Sequence, residues 1–321
     1  MRLFTTNALD SFKTPKANSP SMEDNLVRWR DILTEMESRF AAAEVSHPRL
    51  SARRIAEQAG ALSSVELELS LDEPLTERMM AAVDSMIARR LTHEPLQYVV
   101  GSWGFRTLDV MVDKRVLIPR PETEEVVGWA LEEVDRLADV DGFAQRRIPV
   151  VDLGTGSGVI GLAMVDERPN TEITLVDRDE EALKVATANT AGLGRSATRV
   201  VNIFAGSWFE PLPVSMKGGF GIVVSNPPYV GNDEQLPPEV DDWEPRQALR
   251  ARGAGTEHVR HIIENSPSWL CEAGALVVEM APGQTDEAAV VAESYFAEVE
   301  VLVDMFQRPR AIRARFKKSA T

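Results

Sequence analysis

Four residues, Asn226-Pro227-Pro228-Tyr229, carry the most informative chemistry in this sequence. They follow the apolar run 221–225, which is typical of a buried parallel strand. Proline has no N–H and a fixed φ, so the turn is rigid and offers few hydrogen-bond donors. The Asn226 side chain and the carbonyls of Asn226 and Pro227 are therefore fixed acceptors, beside the flat ring of Tyr229. Such a site suits a planar group that bears an NH2, either a carboxamide or the exocyclic amine of a base.

A glycine-rich loop predicts a second part of the site. A predicted strand ends at Leu153, and Gly154, Gly156 and Gly158 follow before a helix begins. Glycine lets the backbone approach a ligand where a Cβ atom would collide. The dinucleotide fingerprint would need glycine at the position of Val159. The Gly-x-Gly-x-Gly spacing found instead is the form seen in S-adenosylmethionine sites.

Two further side chains follow the next two predicted strands. Asp177 ends the second strand and can accept from both ribose hydroxyls of a nucleoside cofactor. Trp208 comes just after the third strand, where an aromatic ring can pack on an adenine face. Each also has a structural interpretation, since Asp177 could cap the next helix and Trp208 could be core. Ligands of open α/β sheets bind at the carboxyl ends of the strands, so these residues and Asn226 should meet at one edge.

From residue 148 onward, strands and helices alternate. Predicted strands cover 148–153, 173–177, 199–204, 222–225, 275–279, 299–303 and 311–316. Predicted helices cover 159–166, 180–191, 258–270 and 285–295. This alternation predicts an α/β fold with a doubly wound, mainly parallel, seven-stranded Rossmann-like sheet. The last two strands have no helix between them and should pair antiparallel.

The chain divides by composition into four segments. Residues 1–21 are polar and without periodicity, so we predict a disordered tail. Residues 22–95 carry apolar side chains at helical spacing and predict a small helical bundle. Residues 96–118 are rich in β-branched and aromatic residues and predict a β-hairpin linker that includes 98–100. Residues 119–321 hold the α/β domain.

Helix ends within the predicted bundle can be read from capping residues. Pro48 suits the first turn of one helix and Gly60 its exit. Ser63 and Asp72 are expected N-caps of two more helices, the second of which opens with Pro74.

The overall composition restricts the partners and the compartment. The 321 residues carry a net charge of −15, which argues against broad electrostatic binding to bare nucleic acid. The one cysteine, Cys271, excludes an internal disulfide framework and fits a reducing compartment. No apolar run approaches the ~18 residues of a membrane span. His258 and His261 lack a cysteine or clear carboxylate partner, so no metal site is predicted. We therefore expect a cytoplasmic, monomeric protein without membrane or direct nucleic-acid binding.

Several motifs together resemble the HemK/PrmC family of protein-(glutamine-N5) methyltransferases. They are Gln97-Tyr98-x-x-Gly101, Val116–Glu124, Asp152–Gly158, Asn226–Tyr229 and Glu244-Pro245-Arg246. The resemblance covers roughly residues 23–316, and the stretch 118–124 is its most specific part. It implies an enzyme that transfers a methyl group from S-adenosylmethionine to the glutamine amide nitrogen in the Gly-Gly-Gln motif of peptide chain release factors. The helical segment would then dock the protein substrate.

The resemblance also implies site roles by position. Residues implied to hold the cofactor are Gly154, Thr155, Gly156, Ser157, Gly158, Asp177, Trp208 and Asn226. Residues implied to hold the substrate are Asn226, Pro227, Pro228, Tyr229, Arg120, Pro121 and Glu122. Among them, Asn226, Pro227 and Tyr229 are implied to be catalytic. Three departures from the family pattern are Ser207 in place of an acid, and the segments 253–257 and 279–283.

Three other functions share part of this chemistry. The turn at 226–229 suits a glutamine methyltransferase of a ribosomal protein, and equally an adenine-N6 or guanine-N2 methyltransferase of nucleic acid. The acidic charge and the stretch 118–124 favour a release-factor substrate over these. A non-catalytic helical adaptor with a degenerate domain is the third alternative, and the intact glycine loop, Asp177 and turn speak against it.

Overall fold

The computed structural model divides the chain into two compact units, residues 1–91 and 92–321. It describes residues 26–140, 143, 146–251, 253 and 255–318. The tail predicted at 1–21 lies outside these described residues. Within them, no helix is both long enough and apolar enough to cross a membrane.

The first unit is built from short helices. Its helices are α1 (Trp29–Ala42), α2 (Pro48–Gly60), α3 (Ser64–Leu69) and α4 (Glu77–Arg90). The apolar stripe of α1 is buried through Trp29, Ile32, Met36 and Phe40, as its spacing predicts. Helical structure in this segment is therefore confirmed.

The cap expected at Asp72 is wrong, whereas that at Ser63 is confirmed. The Ser63 hydroxyl accepts the N–H of Glu66 at the start of α3. Helix α4 begins later than expected, after Thr76, whose hydroxyl accepts the N–H of Met79. The reason is that the backbone at 71–75 is engaged elsewhere, since it exchanges hydrogen bonds with the backbone at 27–30.

The second unit begins with a helix where β-structure was expected. Leu96–Val100 forms α5, and the hairpin is confined to β1 (Ser102–Phe105) and β2 (Leu108–Met111). The expectation of β-structure at 98–100 is therefore wrong. Pro95 is the N-cap of α5, and the Tyr98 hydroxyl donates to the Val116 carbonyl from a buried position. Tertiary packing thus overrides the β propensity of these side chains.

A seven-stranded sheet forms the centre of the second unit. Its strands are β3 (Ile148–Leu153), β4 (Thr171–Asp177), β5 (Val200–Ala205), β6 (Phe220–Ser225), β7 (Leu270–Glu279), β8 (Phe296–Val303) and β9 (Pro309–Lys317). Their order is β5-β4-β3-β6-β7-β9-β8, and β9 runs antiparallel to both of its neighbours. The predicted doubly wound fold with an antiparallel last strand is confirmed.

Helices cover both faces of this sheet. They are α6 (Pro121–Ala138), α7 (Val159–Glu167), α8 (Glu180–Gly192), α9 (Pro238–Asp241), α10 (Arg246–Leu249), α11 (Glu257–Asn265) and α12 (Thr285–Ala292). Side chains of α6, α7 and α8 belong to one buried cluster, and those of α11 and α12 to another. Central strands such as β3 are thereby buried on both faces, as parallel strands usually are.

Two helix ends differ from their predictions, and the helix expected over 285–295 already ends at Ala292. The helix expected over 258–270 ends at Asn265, and Leu270 already belongs to β7. Pro267 explains the early end, because it has no N–H to continue the helical hydrogen bonds.

Candidate active site

A cleft opens at the carboxyl ends of the parallel strands. It encloses about 910 Å³, including its opening to solvent. Its floor is formed by the loop after β3, the end of β4 and the segments that follow β5 and β6. Residues 115–120 and 245–248 form its walls. The structure thus brings most of the predicted site residues into one cavity.

The register of the sheet explains why these residues meet. Leu153 pairs with both Val176 and Ser225, and Ser225 pairs with Val278. The next residues along these strands are Gly154, Asp177, Asn226 and Glu279. These four residues therefore lie side by side at the carboxyl edge of the sheet.

The glycine loop has a backbone that favours glycine. Gly154, Gly156 and Gly158 have φ values of +70°, +56° and +88°, in the left-handed region. The Asp177 carboxylate accepts the N–H of Gly156 at 2.8 Å and that of Asp179 at 2.9 Å. Asp177 thus lines the cleft and also fixes the loop, and burial raises the pKa of its carboxyl.

Thr155 and Ser157 of the glycine loop are held by hydrogen bonds to buried side chains. The Thr155 hydroxyl donates to the buried Asp152, and the Ser157 carbonyl accepts from Asn189 at 2.9 Å. Burial raises the pKa of Asp152 to about 6. These contacts keep Thr155 and Ser157 in place along the cleft.

Trp208 lines the cleft beside the glycine loop. Its ring edge lies 3.3 Å from the position that a Cβ atom on Gly154 would occupy. The ring packs against His258, with ring centroids 5.2 Å apart. Ser207 lines the same wall. The aromatic surface therefore stands where the sequence placed it, next to the loop and Asp177.

The turn 226–229 presents its residues in two directions. Asn226 and Pro228 line the cleft, while Pro227 is buried. The Tyr229 hydroxyl donates to Glu279 at 3.3 Å, and burial raises the pKa of Tyr229. Stacking of its ring on a substrate amide stays a prediction.

A buried row of side chains lies behind Asn226. Its Nδ2 donates to Thr123 Oγ1 at 3.1 Å, and Thr123 Oγ1 donates to Glu279 Oε2 at 2.8 Å. Both Thr123 and Glu279 are almost fully buried. The sequence drew attention to the segments 118–124 and 279–283, which contain Thr123 and Glu279, but indicated no role for Thr123, since its role depends on packing between distant elements.

Two of the family motifs, 116–124 and 244–246, contact each other. Buried Glu244 accepts from the Arg120 guanidinium and, at 3.1 Å, from the Ile118 N–H. Burial raises the pKa of Glu244, while Arg120 opposes that rise. Arg120 lines the cleft. Pro121 is instead exposed on the first turn of α6, and Glu122 accepts from Arg308 and Arg310, each at 3.2 Å.

A strap formed by residues 231–250 reaches back across the cleft mouth. Arg178 donates to the Gln247 carbonyl at 3.2 Å, and the Gln247 amide donates to Asp179. Arg250 secures the start of the strap through the carbonyls of Gly231 and Asn232. The sequence did not single out Arg178 and Gln247, although each directly follows a motif, because their contact joins two distant segments.

Within the described ranges, no cluster of three or more His, Cys, Asp or Glu side chains could hold a metal ion.

Gly255 packs against the backbone of the turn 226–229. A Cβ atom on Gly255 would lie 2.1 Å from the Tyr229 carbonyl oxygen, and its φ is +85°. Gly253 has a φ of +56° and open space around its Cα. We expect Gly255→Ala to lower both the melting temperature and kcat, because the turn must move away from the methyl group.

The matched control is Gly253→Ala, which should cost only about 1–2 kcal/mol of left-handed strain and leave kcat near that of the wild type. Thermal unfolding and initial rates measure both variants. If both variants had the same melting temperature and kcat, the contact of Gly255 with the turn would not constrain the site.

Burial of Glu279 makes stability depend on pH. Burial raises the pKa of Glu279 from 4.5 to about 7, although Thr123, Arg310 and Tyr229 oppose the rise and Glu122 adds to it. As pH rises, the unfolded chain therefore loses this proton before the folded chain does. The free energy of unfolding then falls between about pH 5 and pH 7.5. The pKa difference corresponds to about 3 kcal/mol.

Urea unfolding at about pH 5 and pH 8 checks this expectation. The free energy of unfolding should fall less in Glu279→Gln than in the wild type. Glu272→Gln is the control, because the Glu272 side chain is 90% exposed. A pH dependence in Glu279→Gln as steep as that of the wild type would contradict the expectation.

The sheet order, the antiparallel last strand and the glycine loop at the carboxyl edge define a Rossmann-like methyltransferase. A family model described as "PrmC N-terminal domain" matches residues 31–101, and one described as "Methyltransferase small domain" matches residues 139–238.

Curated relatives extend this match over most of the chain. A "Release factor glutamine methyltransferase" of Geobacter sulfurreducens is 34% identical over 80% of this chain and 85% of its own length. Relatives with the same name from Cereibacter sphaeroides and Vibrio cholerae are 34% and 37% identical, over 90% and 65% of this chain and 99% and 68% of their own lengths. The chain belongs to the release factor glutamine methyltransferase family. The predicted family is thus confirmed, and the protein is a methyltransferase enzyme.

Proposed function

We propose that this protein transfers a methyl group from S-adenosyl-L-methionine to the side-chain amide nitrogen of the glutamine in the Gly-Gly-Gln motif of peptide chain release factors. The observation that carries the proposal is the orientation of Asn226. Its Nδ2 is committed to Thr123, so its Oδ1 is left as an acceptor at the cleft. An acceptor at this position suits an NH2 group, which a carboxamide offers.

The cleft suits the cofactor on its own chemistry. The loop 154–158 lets a ligand approach the backbone closely, because its glycines have left-handed φ values. Asp177 is a carboxylate at the end of β4, where it can accept from ribose hydroxyls. Trp208 supplies an aromatic face nearby for the adenine. S-adenosylmethionine, when bound, supplies an electrophilic methyl group on a sulfonium centre.

The turn 226–229 must overcome the weak nucleophilicity of an amide. The nitrogen lone pair is delocalised into the carbonyl. In our proposal, Asn226 Oδ1 and the Pro227 carbonyl accept the two N–H bonds of the substrate, which orients the nitrogen and favours pyramidal character. As the N–CH3 bond forms, the methyl group would leave the sulfonium sulfur, which would become a neutral thioether, and the nitrogen would release one proton to solvent. Because the methylated nitrogen is strongly acidic, no dedicated base is required.

The same acceptors explain why glutamine would be chosen over glutamate. A glutamate side chain lacks the two donors and would leave both acceptors unpaired. Each buried unpaired group costs roughly 1–3 kcal/mol. A release factor whose Gly-Gly-Gln motif is changed to Gly-Gly-Glu should therefore remain unmethylated.

Mass spectrometry of the Gly-Gly-Gln peptide tests the proposal. The full chain is incubated with S-adenosylmethionine and a purified release factor, and in parallel with ribosomal protein and with DNA. We expect one added methyl group on the glutamine of the release factor. Methylation of ribosomal protein or DNA alone would overturn the substrate assignment, and failure to bind the cofactor in calorimetry would overturn the activity.

The proposal also covers the substrate-docking segment, the compartment and the oligomeric state. The helical segment 22–95 would dock the protein substrate, and release factors would be met in the cytoplasm. The net charge of −15 opposes direct binding to nucleic acid. We propose a monomer, which light scattering of the purified protein would check.

A further inference from the structure

Two buried side chains, Thr123 and Glu279, stand in line behind Asn226 of the candidate amide site. Strand pairing of Ser225 with Val278 places Asn226 and Glu279 next to each other, and Thr123 on the first turn of α6 lies between their side chains. Thr123 is 3% exposed and Glu279 is fully buried. Thr123 contacts Asn226, and Glu279 contacts Thr123 in turn.

The hydrogen bonds in this row have a fixed direction. Thr123 and Tyr229 both donate their hydroxyl protons to Glu279. Above a pH of about 7, where the Glu279 carboxyl is ionised, it can only accept, and this direction is then obligatory. A hydroxyl has one proton, so Thr123 can then only accept from Asn226. The donor that bonds to Thr123 Oγ1 is the Asn226 Nδ2, at 3.1 Å. An Asn226 amide turned over would set its oxygen against the lone pairs of Thr123.

We infer that Thr123 and Glu279 are positioning residues that determine which atom of Asn226 faces the substrate. This inference rests on the proposed function and deepens it. Glu279 orders the proton of Thr123, and Thr123 holds the Asn226 NH2 away from the cleft. The Asn226 oxygen is thereby presented to an NH2 donor. Selection of an amide over a carboxylate then depends on two side chains that never touch the substrate.

The Tyr229 carbonyl at the end of the turn is held by contacts that do not involve Thr123. Gln284 donates to the Tyr229 carbonyl at 2.9 Å, and Gly255 packs against the same oxygen. Loss of the Thr123 hydroxyl should therefore leave the backbone of the turn in place. A test at Thr123 thus isolates the side-chain orientation of Asn226.

Thr123→Val is the informative variant, because valine keeps the shape and removes the hydroxyl. We expect kcat for release-factor methylation to fall roughly 10- to 100-fold, as for a misplaced reactive group. The calorimetric Kd for S-adenosylmethionine should stay within about twofold of the wild type. Thr123→Ser keeps the hydroxyl and should retain most of the rate.

Two further variants make the test specific. Thr171→Val removes another fully buried hydroxyl, at the start of β4, and should leave kcat unchanged. Glu279→Gln makes Thr123 or Tyr229 face an NH2 group and should also lower kcat. Because both changes act through Asn226, the double variant Thr123→Val/Glu279→Gln should fall about as far as the worse single variant.

A readout without methyl transfer separates this inference from the proposed function. NMR should find the Asn226 side-chain NH2 protected from hydrogen exchange in the wild type and Thr123→Ser, and exposed in Thr123→Val. A wild-type enzyme that ignores release factors would overturn the proposed function while the NMR result still decides the inference. Unchanged kcat or unchanged exchange in Thr123→Val, or multiplicative effects in the double variant, would overturn the inference.

Discussion

Asn226→Ala is expected to lower kcat for release-factor methylation by roughly 100-fold, where each factor of ten corresponds to 1.36 kcal/mol. The variant removes the acceptor that orients the substrate nitrogen and leaves Thr123 without its donor. Both losses weaken the arrangement in which the nitrogen attacks. Initial rates with a purified release factor at saturating cofactor measure the effect.

The control for this experiment is Asn202→Ala. Asn202 lies on β5 of the same sheet, and its Nδ2 donates to Thr174 at 3.4 Å, on the strands rather than in the cleft. It should leave kcat close to that of the wild type. An Asn226→Ala enzyme that keeps kcat within about threefold would show that the assigned role is wrong.

Asp177→Ala is expected to raise the Kd for S-adenosylmethionine by roughly 100-fold, because hydrogen bonds to a charged group are each worth about 1.5–3 kcal/mol. The change removes acceptors for the cofactor and also frees the N–H of Gly156 from the carboxylate that holds it. Asp177→Asn retains one oxygen acceptor and should fall between alanine and the wild type. Isothermal titration calorimetry measures all three proteins.

Asp135→Ala provides the matched control for the cofactor site. Asp135 pairs with Arg168 on the surface of the second unit, and its loss should leave cofactor affinity unchanged. Wild-type affinity in Asp177→Ala would mean that the cofactor is held by other groups.

Local signals sufficed for the parts of the site that lie within one stretch of chain. The glycine loop, Asp177 and the turn 226–229 each directly follow a strand, so the α/β pattern alone predicted that they share an edge. The doubly wound sheet and the antiparallel pairing of its last two strands followed from the same pattern. Gly154, Gly156, Asp177 and Asn226 line the cleft at this edge, whereas Gly158, Pro227 and Tyr229 do not line it.

Contacts between distant elements were the part that the sequence concealed. Thr123 and Glu279 lie in two segments that the sequence singled out, but they meet only because the first turn of α6 packs at the end of β7. The same reason applies to Gln247 on the strap. Two of the local errors have a similar origin. The contacts of Tyr98 override strand propensity at α5, and backbone pairing at 71–75 displaces the cap of α4.

The shared register of the strands has a consequence for how the gene can tolerate insertions and deletions. The residues before each functional position, Leu153, Val176, Ser225 and Val278, are paired in one row. Removing one residue upstream within any of these strands would draw its functional group back by about 3.3 Å and turn it to the opposite face. Length changes should therefore be confined to connections beyond the row, and an alignment of functional relatives should show gap-free strands that end at these four positions.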